Sequence, residues 1–348
     1  MNERVKKLIK KMTDGGFDCI IVTDPHNMYY YSGFYNGEGC LVIKKDCSFV
    51  VTDSRYTEYA SEVCRGFEIV DSANKKAYEL ISDSEVCGFE DLSISYAMYV
   101  LLKEKIKNLL PVGETVRFPR REKDDTELDA IKRAAEITDK AFEHICAYIM
   151  VGMTEKDIAA EIDVFMKKNG AEDNSFSTIA ASGARASLPH AIPTDKRIAE
   201  GELLIMDFGC IFGGYCSDMT RTVAIGRISD ELREVYDTVL EIQQKSLLYL
   251  SAGKSGRDID DRAREFLNKK YPGCFGHALG HSVGLEIHEN PNLSPKNNTP
   301  LNDGTVITVE PGLYIPGKCG VRIEDLAVVR KNGCELLSHS PKNLITVG

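Results

Sequence analysis

Residues 201–209 read GELLIMDFG, and residues 304–312 read GTVITVEPG. Each begins with glycine, runs through an apolar strand-like segment, reaches one carboxylate six residues later, and soon meets glycine again. The carboxylates are Asp207 and Glu310. A glycine-containing turn follows in both cases, then a second strand-like run with its own carboxylate, Asp218 in CSDMTRT and Glu324 in VRIEDLAV. The paired positions lie 103 and 106 residues apart. Two hairpins of one design predict a pseudo-symmetric domain with the four carboxylates at corresponding places in its halves. A carboxylate that ends an apolar strand is costly to bury unless it is paired or bound to a cation.

A second segment supplies nitrogen. GHALGHSVGLEIHE, residues 276–289, holds His277, His281 and His288, three of the chain's seven histidines. Its glycines permit tight turns or close backbone approach. It is not H-E-x-x-H, so a thermolysin-type zinc site is excluded. His190 stands apart in SLPHAIPTD, a proline-bounded loop before the first hairpin. Four carboxylates and one imidazole suit two divalent ions. The oxygen-rich donor set favours manganese, with cobalt, zinc or iron as alternatives. Two such ions acidify a water shared between them.

Around these hairpins the second half of the chain alternates helices with strands. Leu128, Ile131, Ala135, Thr138, Phe142, Ile145 and Ile149 form one apolar stripe of a long helix. Thr154 with Asp157 reads as a capping box opening a second helix, closed by Gly170. Ser229 opens a third helix running to about Tyr249, and Ser255 with Asp258 caps a fourth. Strands are expected at 202–208, 219–225, 305–310 and 322–329. The first 120 residues read as a smaller α/β domain. Strands are expected there at 17–22, 40–43, 49–52, 67–70 and 86–89, with a helix over 93–110. The seam falls near VRFPRR, 116–121, giving domains of 1–120 and 121–348. No cluster of catalytic residue types stands out in the first.

Composition removes several classes. Of 348 residues, 43 are Lys or Arg and 53 are Asp or Glu, a net charge of −10. That balance argues against binding nucleic acid through its phosphates. No uncharged apolar run of about 18 residues exists to span a membrane. The charged opening MNERVKKLIKKM is no signal peptide. Eleven cysteines without a C-x-x-C pair read as reduced thiols. A cytoplasmic protein is expected. Two kinase-like fragments, Asp207-Phe208-Gly209 and Val223-Ala224-Ile225, stand in the wrong order with no H-R-D, and are coincidental.

Asp207, Asp218, His281, Glu310 and Glu324, in the motifs MDFG, SDMTRT, GHALGHSVGLEIHE, VEPGLY and RIED, resemble the metal ligands of the dinuclear "pita-bread" metallopeptidases, family M24. That family includes Xaa-Pro aminopeptidases, Xaa-Pro dipeptidases (prolidases) and methionine aminopeptidases, plus metal-free creatinase. The first 120 residues resemble the creatinase/prolidase N-terminal domain, with TDSRY (52–56) as a weaker marker. The resemblance implies an α+β pita-bread catalytic domain, two metal ions per chain and a homodimer. It implies ligand roles for the five residues, with Glu310 also a proton acceptor. It places His190, His277 and His288 around the substrate, and gives Arg322 the task of orienting Asp218 or a neighbouring carboxylate.

The implied reaction is hydrolysis of an N-terminal Xaa-Pro bond by a hydroxide bridging two metals, acting on peptides with proline in second place. One departure bears on specificity. Asn292, in HENPNLSP, stands where many prolidase-like members carry an arginine that binds a dipeptide's carboxylate. The sequence therefore favours an Xaa-Pro aminopeptidase over a dipeptidase. A metal-free creatinase-like hydrolase and a non-enzymatic binding protein are weaker readings, because the ligand set is complete.

Overall fold

The computed structural model describes residues 2–348. They divide into two compact units with the break between Arg120 and Arg121.

The first unit is built on a six-stranded sheet. Its strands are β1 (Cys19–Val22), β2 (Cys40–Lys44), β3 (Ser48–Thr52), β4 (Glu68–Asp71), β5 (Val86–Phe89) and β6 (Asn108–Pro111). They lie in the order β4-β3-β2-β1-β5-β6. β1 runs parallel to β5 and β5 to β6, while β2 is antiparallel to β1 and β3. All four residues of β1 are buried, which is why CIIV reads as an unbroken apolar run. Helices α1 (Glu3–Asp14), α2 (Pro25–Ser32), α3 (Thr57–Val63) and α4 (Tyr96–Lys105) complete the unit. The helix expected over 93–110 is two elements. α4 ends at Lys105, and Asn108–Pro111 forms β6 alongside β5. A short apolar run such as NLLP fits helix and strand equally, and pairing with β5 decides it.

The second unit carries four long helices, α5 (Asp125–Tyr148), α6 (Glu155–Lys168), α7 (Asp230–Tyr249) and α8 (Gly256–Lys270). Capping boxes open α5 at Asp124, α6 at Thr154 and α8 at Ser255. Each such cap contributes about 1 kcal/mol. The strands are β7 (Asp173–Asn174), β8 (Ile179–Ser182), β9 (Leu203–Phe208), β10 (Cys210–Phe212), β11 (Tyr215–Cys216), β12 (Met219–Ile225), β13 (Gly280–Ser282), β14 (Glu289–Leu293), β15 (Val306–Val309), β16 (Gly312–Ile315), β17 (Cys319–Arg322), β18 (Asp325–Arg330), β19 (Gly333–Leu336) and β20 (Thr346–Val347).

The two halves anticipated from the repeat are visible. One sheet, β20-β12-β9-β8, shares its core with α5 and α6, through Phe142, Ile145, Ile158 and Ile162 against Leu204, Met206 and Val223. The other, β14-β13-β15-β18-β19, shares its core with α7 and α8, through Val239, Ile259 and Leu267 against Ile307, Val309 and Ala327. Burying each of these side chains contributes roughly 1.5–3 kcal/mol. The glycines that start the repeat adopt the same left-handed backbone, φ 88° at Gly201 and 86° at Gly304. A side chain there would be strained, so glycine turns the chain into each strand at the same point.

Candidate metal centre

The repeat delivers its four carboxylates to one place. Asp207 is the fifth residue of β9, and Asp218 lies just before β12, antiparallel to it. Glu310 follows β15 directly, and Glu324 sits between β17 and β18. His281 is the middle residue of β13, which pairs with β15. Ligand atoms of Asp218, His281 and Glu324 all lie within 4.8 Å of one another. His281 Nε2 is 3.5 Å from Asp218 Oδ2 and 3.3 Å from Glu310 Oε1.

Three of the four acids are held on one side by the protein. Arg322 Nη2 pairs with Asp207 Oδ2. Thr220 Oγ1 donates to Glu324 Oε2 at 2.7 Å and accepts from Arg322 Nε at 2.9 Å. Thr308 Oγ1 donates to Glu310 Oε1 at 3.0 Å and accepts from the His281 amide at 3.0 Å. The other oxygens of Asp207 and Glu324, Oδ1 and Oε1, are buried with no hydrogen-bond partner. Such an orphan costs about 1–3 kcal/mol, and more when charged.

His281 Nδ1 lies 3.2 Å from the Ser282 carbonyl. A carbonyl cannot donate, so Nδ1 carries the proton and Nε2 turns a lone pair toward two carboxylates. Burial lowers the affinity of His281 for a second proton. Bare oxygens and a bare nitrogen converging without a donor make a chemically sound arrangement only around cations. The residues present therefore fit a divalent metal centre.

The electrostatics agree. Burial, then the neighbouring charges of Glu324, Asp207 and Glu310, push the Asp218 carboxyl well above its usual range. Burial, then Glu310 and Asp207, does the same to Glu324. Burial, with Asp207 adding to it and Arg322 opposing, pushes Glu310 up to about 7. Without positive charge, this cluster holds protons.

The remaining sequence candidates divide. The His288 ring packs edge-on against His281, with centroids 4.4 Å apart. Exposed His190 is close enough to act electrostatically on Glu310, His277 and His288. His277 is engaged on both nitrogens by the protein itself, at Ala278 O (2.7 Å) and the Tyr314 hydroxyl (3.0 Å). Arg322 pairs with Asp207 rather than Asp218. It also donates to the Tyr314 hydroxyl at 2.7 Å and to the Pro189 carbonyl at 3.1 Å. Thr220, Thr308 and Tyr314 were not singled out in sequence. Thr220 and Tyr314 lie inside the motifs SDMTRT and VEPGLY, and Thr308 lies two residues before Glu310.

Residues 129–331 match the model of metallopeptidase family M24, and residues 4–120 match the creatinase/prolidase N-terminal domain. The chain belongs to metallopeptidase family M24. Among relatives in the family, the Xaa-Pro dipeptidase of Pyrococcus furiosus is 36% identical over 349 residues, 99% of this chain and 100% of that one. The solved Xaa-Pro dipeptidase from Bacillus anthracis superposes with a TM-score of 0.96 at 40% identity, covering 99% of both chains. The X-Pro aminopeptidase from Thermotoga maritima gives 0.90 at 36%, covering 99% of this chain and 100% of that one. The M24 fold of a creatinase-type N-terminal domain and a pita-bread catalytic domain is thus shared end to end.

Proposed function

We propose that this M24 metallopeptidase is an Xaa-Pro dipeptidase holding two divalent ions, with manganese favoured. The observation that carries the metal-centre reading is the gathering of Asp218, His281 and Glu324 ligand atoms within 4.8 Å of one another, together with the buried Asp207 Oδ1 and Glu324 Oε1 that have no hydrogen-bond partner. Full-length likeness to proteins named Xaa-Pro dipeptidases favours the dipeptidase over the aminopeptidase expected from sequence. The aminopeptidase remains the second reading, because the Thermotoga relative bears that name. Asn292 bears on how a substrate carboxylate would be anchored, not on which bond is cut.

In this reading Asp207, Asp218, His281, Glu310 and Glu324 hold the ions. The ions supply Lewis acidity and a water acidic enough to attack at neutral pH. Glu310 takes the water's proton as oxygen joins the carbonyl carbon. It then passes that proton to the proline nitrogen as the C–N bond breaks. Proline nitrogen in a peptide has no hydrogen, so the departing amine needs this proton. His288 donates to the developing oxyanion. Arg322, backed by Thr220 and Tyr314, keeps Asp207 oriented. A cytoplasmic homodimer completes the proposal; eleven free thiols support a reducing compartment.

The test is hydrolysis of an Xaa-Pro dipeptide by chelator-treated protein with and without added Mn²⁺. Turnover should vanish with the metal and return with it. Glu310→Gln should lower kcat by about 100-fold or more. Undiminished turnover after the metal is removed overturns the reading.

A further inference from the structure

We propose that Glu155, remote in sequence from the metal centre, is the positioning residue for the loop that carries His190. The inference rests on the proposed function and on the place beside the substrate that the family resemblance gives His190.

Glu155 opens α6 and is 0% exposed. A carboxylate this deeply buried is costly unless its oxygens are satisfied, and here five donors meet it. Oε1 accepts from the Ser182 amide at 2.9 Å and the Ser182 hydroxyl at 3.2 Å. Oε2 accepts from Arg185 Nε at 3.0 Å, the Thr194 amide at 3.1 Å and the Thr194 hydroxyl at 2.8 Å. Ser182 ends β8 and precedes the loop, whereas Thr194 lies on its far side beyond His190. One side chain therefore clasps entry and exit, an oxygen for each.

The backbone repeats the clasp. The amides of Glu155 and Lys156, free at the start of a helix, donate to the carbonyls of Lys196 and Thr194. Arg185 also reaches across the loop to the Ile192 carbonyl at 2.7 Å. On the other side, the Ala186 carbonyl faces Gly320 of β17, where a Cβ would come within 1.8 Å of it. Next along, the Pro189 carbonyl accepts from Arg322. His190, immediately after Pro189, is thus set between two anchors: Glu155 at the loop's base and Arg322 at the metal centre. An active-site group misplaced by about 1 Å can cost 100-fold in rate. The base of this loop is consequently a place where a remote change reaches the chemistry.

The experiment is a double-mutant cycle on metal-loaded enzyme with an Xaa-Pro dipeptide, using Glu155→Gln, His190→Ala and both together. Gln keeps the shape but offers two hydrogens where donors already point. Glu155→Gln should lower kcat/KM by about 10-fold or more, while bound metal stays unchanged. In the His190→Ala background the same substitution should cost less than about 2-fold. Hydrogen exchange at the Ser182 and Thr194 amides should accelerate in Glu155→Gln. Equal losses in both backgrounds overturn the positioning role and leave the function standing. If His190→Ala changes nothing, the place beside the substrate expected of His190 fails, and the proposal falls with it. If Glu155→Gln does not fold, Arg185→Met, which removes from a half-exposed position one of the five donors to Glu155 together with the bond to the Ile192 carbonyl, goes through the same cycle and is judged by the same two outcomes.

Discussion

The Tyr314 hydroxyl lies 3.0 Å from Nε2 of His277 and must be the donor in that bond. His277 Nδ1 is committed to the Ala278 carbonyl, so its proton is there and Nε2 accepts. The Tyr314 oxygen in turn accepts from Arg322 Nη1. A positive group is thereby passed through a neutral hydroxyl to a neutral imidazole. Burial, then the Arg322 charge, lowers the His277 pKa from its ordinary 6.5 to about 4.

The first prediction follows from that shift. A histidine kept neutral in the fold contributes stability above its unfolded pKa and loses it as pH falls toward the folded one. The window is therefore from about 6.5 down to about 4. The ring is only half-buried by area, so the contribution is discounted to about 2 kcal/mol. His277→Asn does not titrate, and comparing it with wild type cancels the carboxylate cluster common to both. On metal-free protein, urea unfolding should show the advantage of wild type over His277→Asn shrinking by that amount between pH 7 and pH 4. A constant gap across the range would mean that His277 titrates like a free imidazole.

Metal loading should release protons. Without metal, the Glu310 carboxyl is pushed up to about 7 by burial, and burial also pushes Asp218 and Glu324 well above their usual range. The ions bind only the deprotonated forms. Apparent affinity should thus fall below pH 7, by about tenfold per pH unit for each proton displaced. Calorimetry of Mn²⁺ binding in buffers of different ionisation enthalpy measures the protons released, and elemental analysis should approach two ions per chain. Binding with no pH dependence between 6 and 8 contradicts the protonated cluster.

His281 and His288 should separate in a pair of variants. His281 turns its bare Nε2 toward Asp218 and Glu310, whereas His288 stands beside it, ring against ring. His281→Ala should lose metal first. His288→Ala should keep its metal and lose about 100-fold in kcat, the usual effect of an oxyanion donor. Metal content and kcat for both variants decide the assignment, and the opposite pattern would exchange the two roles.

The region behind the centre depends on Asp325. It accepts from Arg221 Nη2 at 2.7 Å and from Gln243 at 2.9 Å, and also pairs with Lys342. Arg221 is 1% exposed and donates to the carbonyls of Thr220, Glu324 and Ser340. Removing one partner leaves a buried charge uncompensated, a loss of about 3–5 kcal/mol. Asp325→Asn should fall near the lower end, because the amide keeps one acceptor. Denaturant titration of the metal-free protein checks it, and a loss below 1 kcal/mol would show that water reaches Arg221.

The repeat GELLIMDFG/GTVITVEPG was legible because glycine, strand and carboxylate recur at one spacing, and the backbone angles of Gly201 and Gly304 repeat it. The long helices were legible because their caps and apolar stripes are local. What was not legible depends on partners distant in sequence. NLLP is a strand only because β5 lies beside it. Tyr314 and Thr220 gain meaning only when Arg322 reaches both. Glu155 reads as one more helix-starting acid until Ser182, Arg185 and Thr194 close on it. Asn292 was visible, but a single neutral residue weighed less than the likeness of the whole chain.

The final prediction concerns that residue. Asn292 lies opposite His281 across β13 and β14, so its side chain belongs to the neighbourhood of the centre. Its amide oxygen already accepts from Ser294 Oγ at 2.8 Å. It can therefore offer a substrate carboxylate no more than a neutral N–H. A charge-assisted hydrogen bond is roughly twice as strong as a neutral one. Asn292→Arg should raise kcat/KM for an Xaa-Pro dipeptide by about 10-fold, equivalent to about 1.4 kcal/mol. A tripeptide Xaa-Pro-Yaa carries its carboxylate one residue further on and should change by less than about 2-fold. The dipeptidase reading also requires the wild type to cleave the dipeptide at least as well as the tripeptide. If the tripeptide is clearly preferred, and Asn292→Arg reverses that preference, the neutral side chain has set the specificity and the enzyme is an Xaa-Pro aminopeptidase.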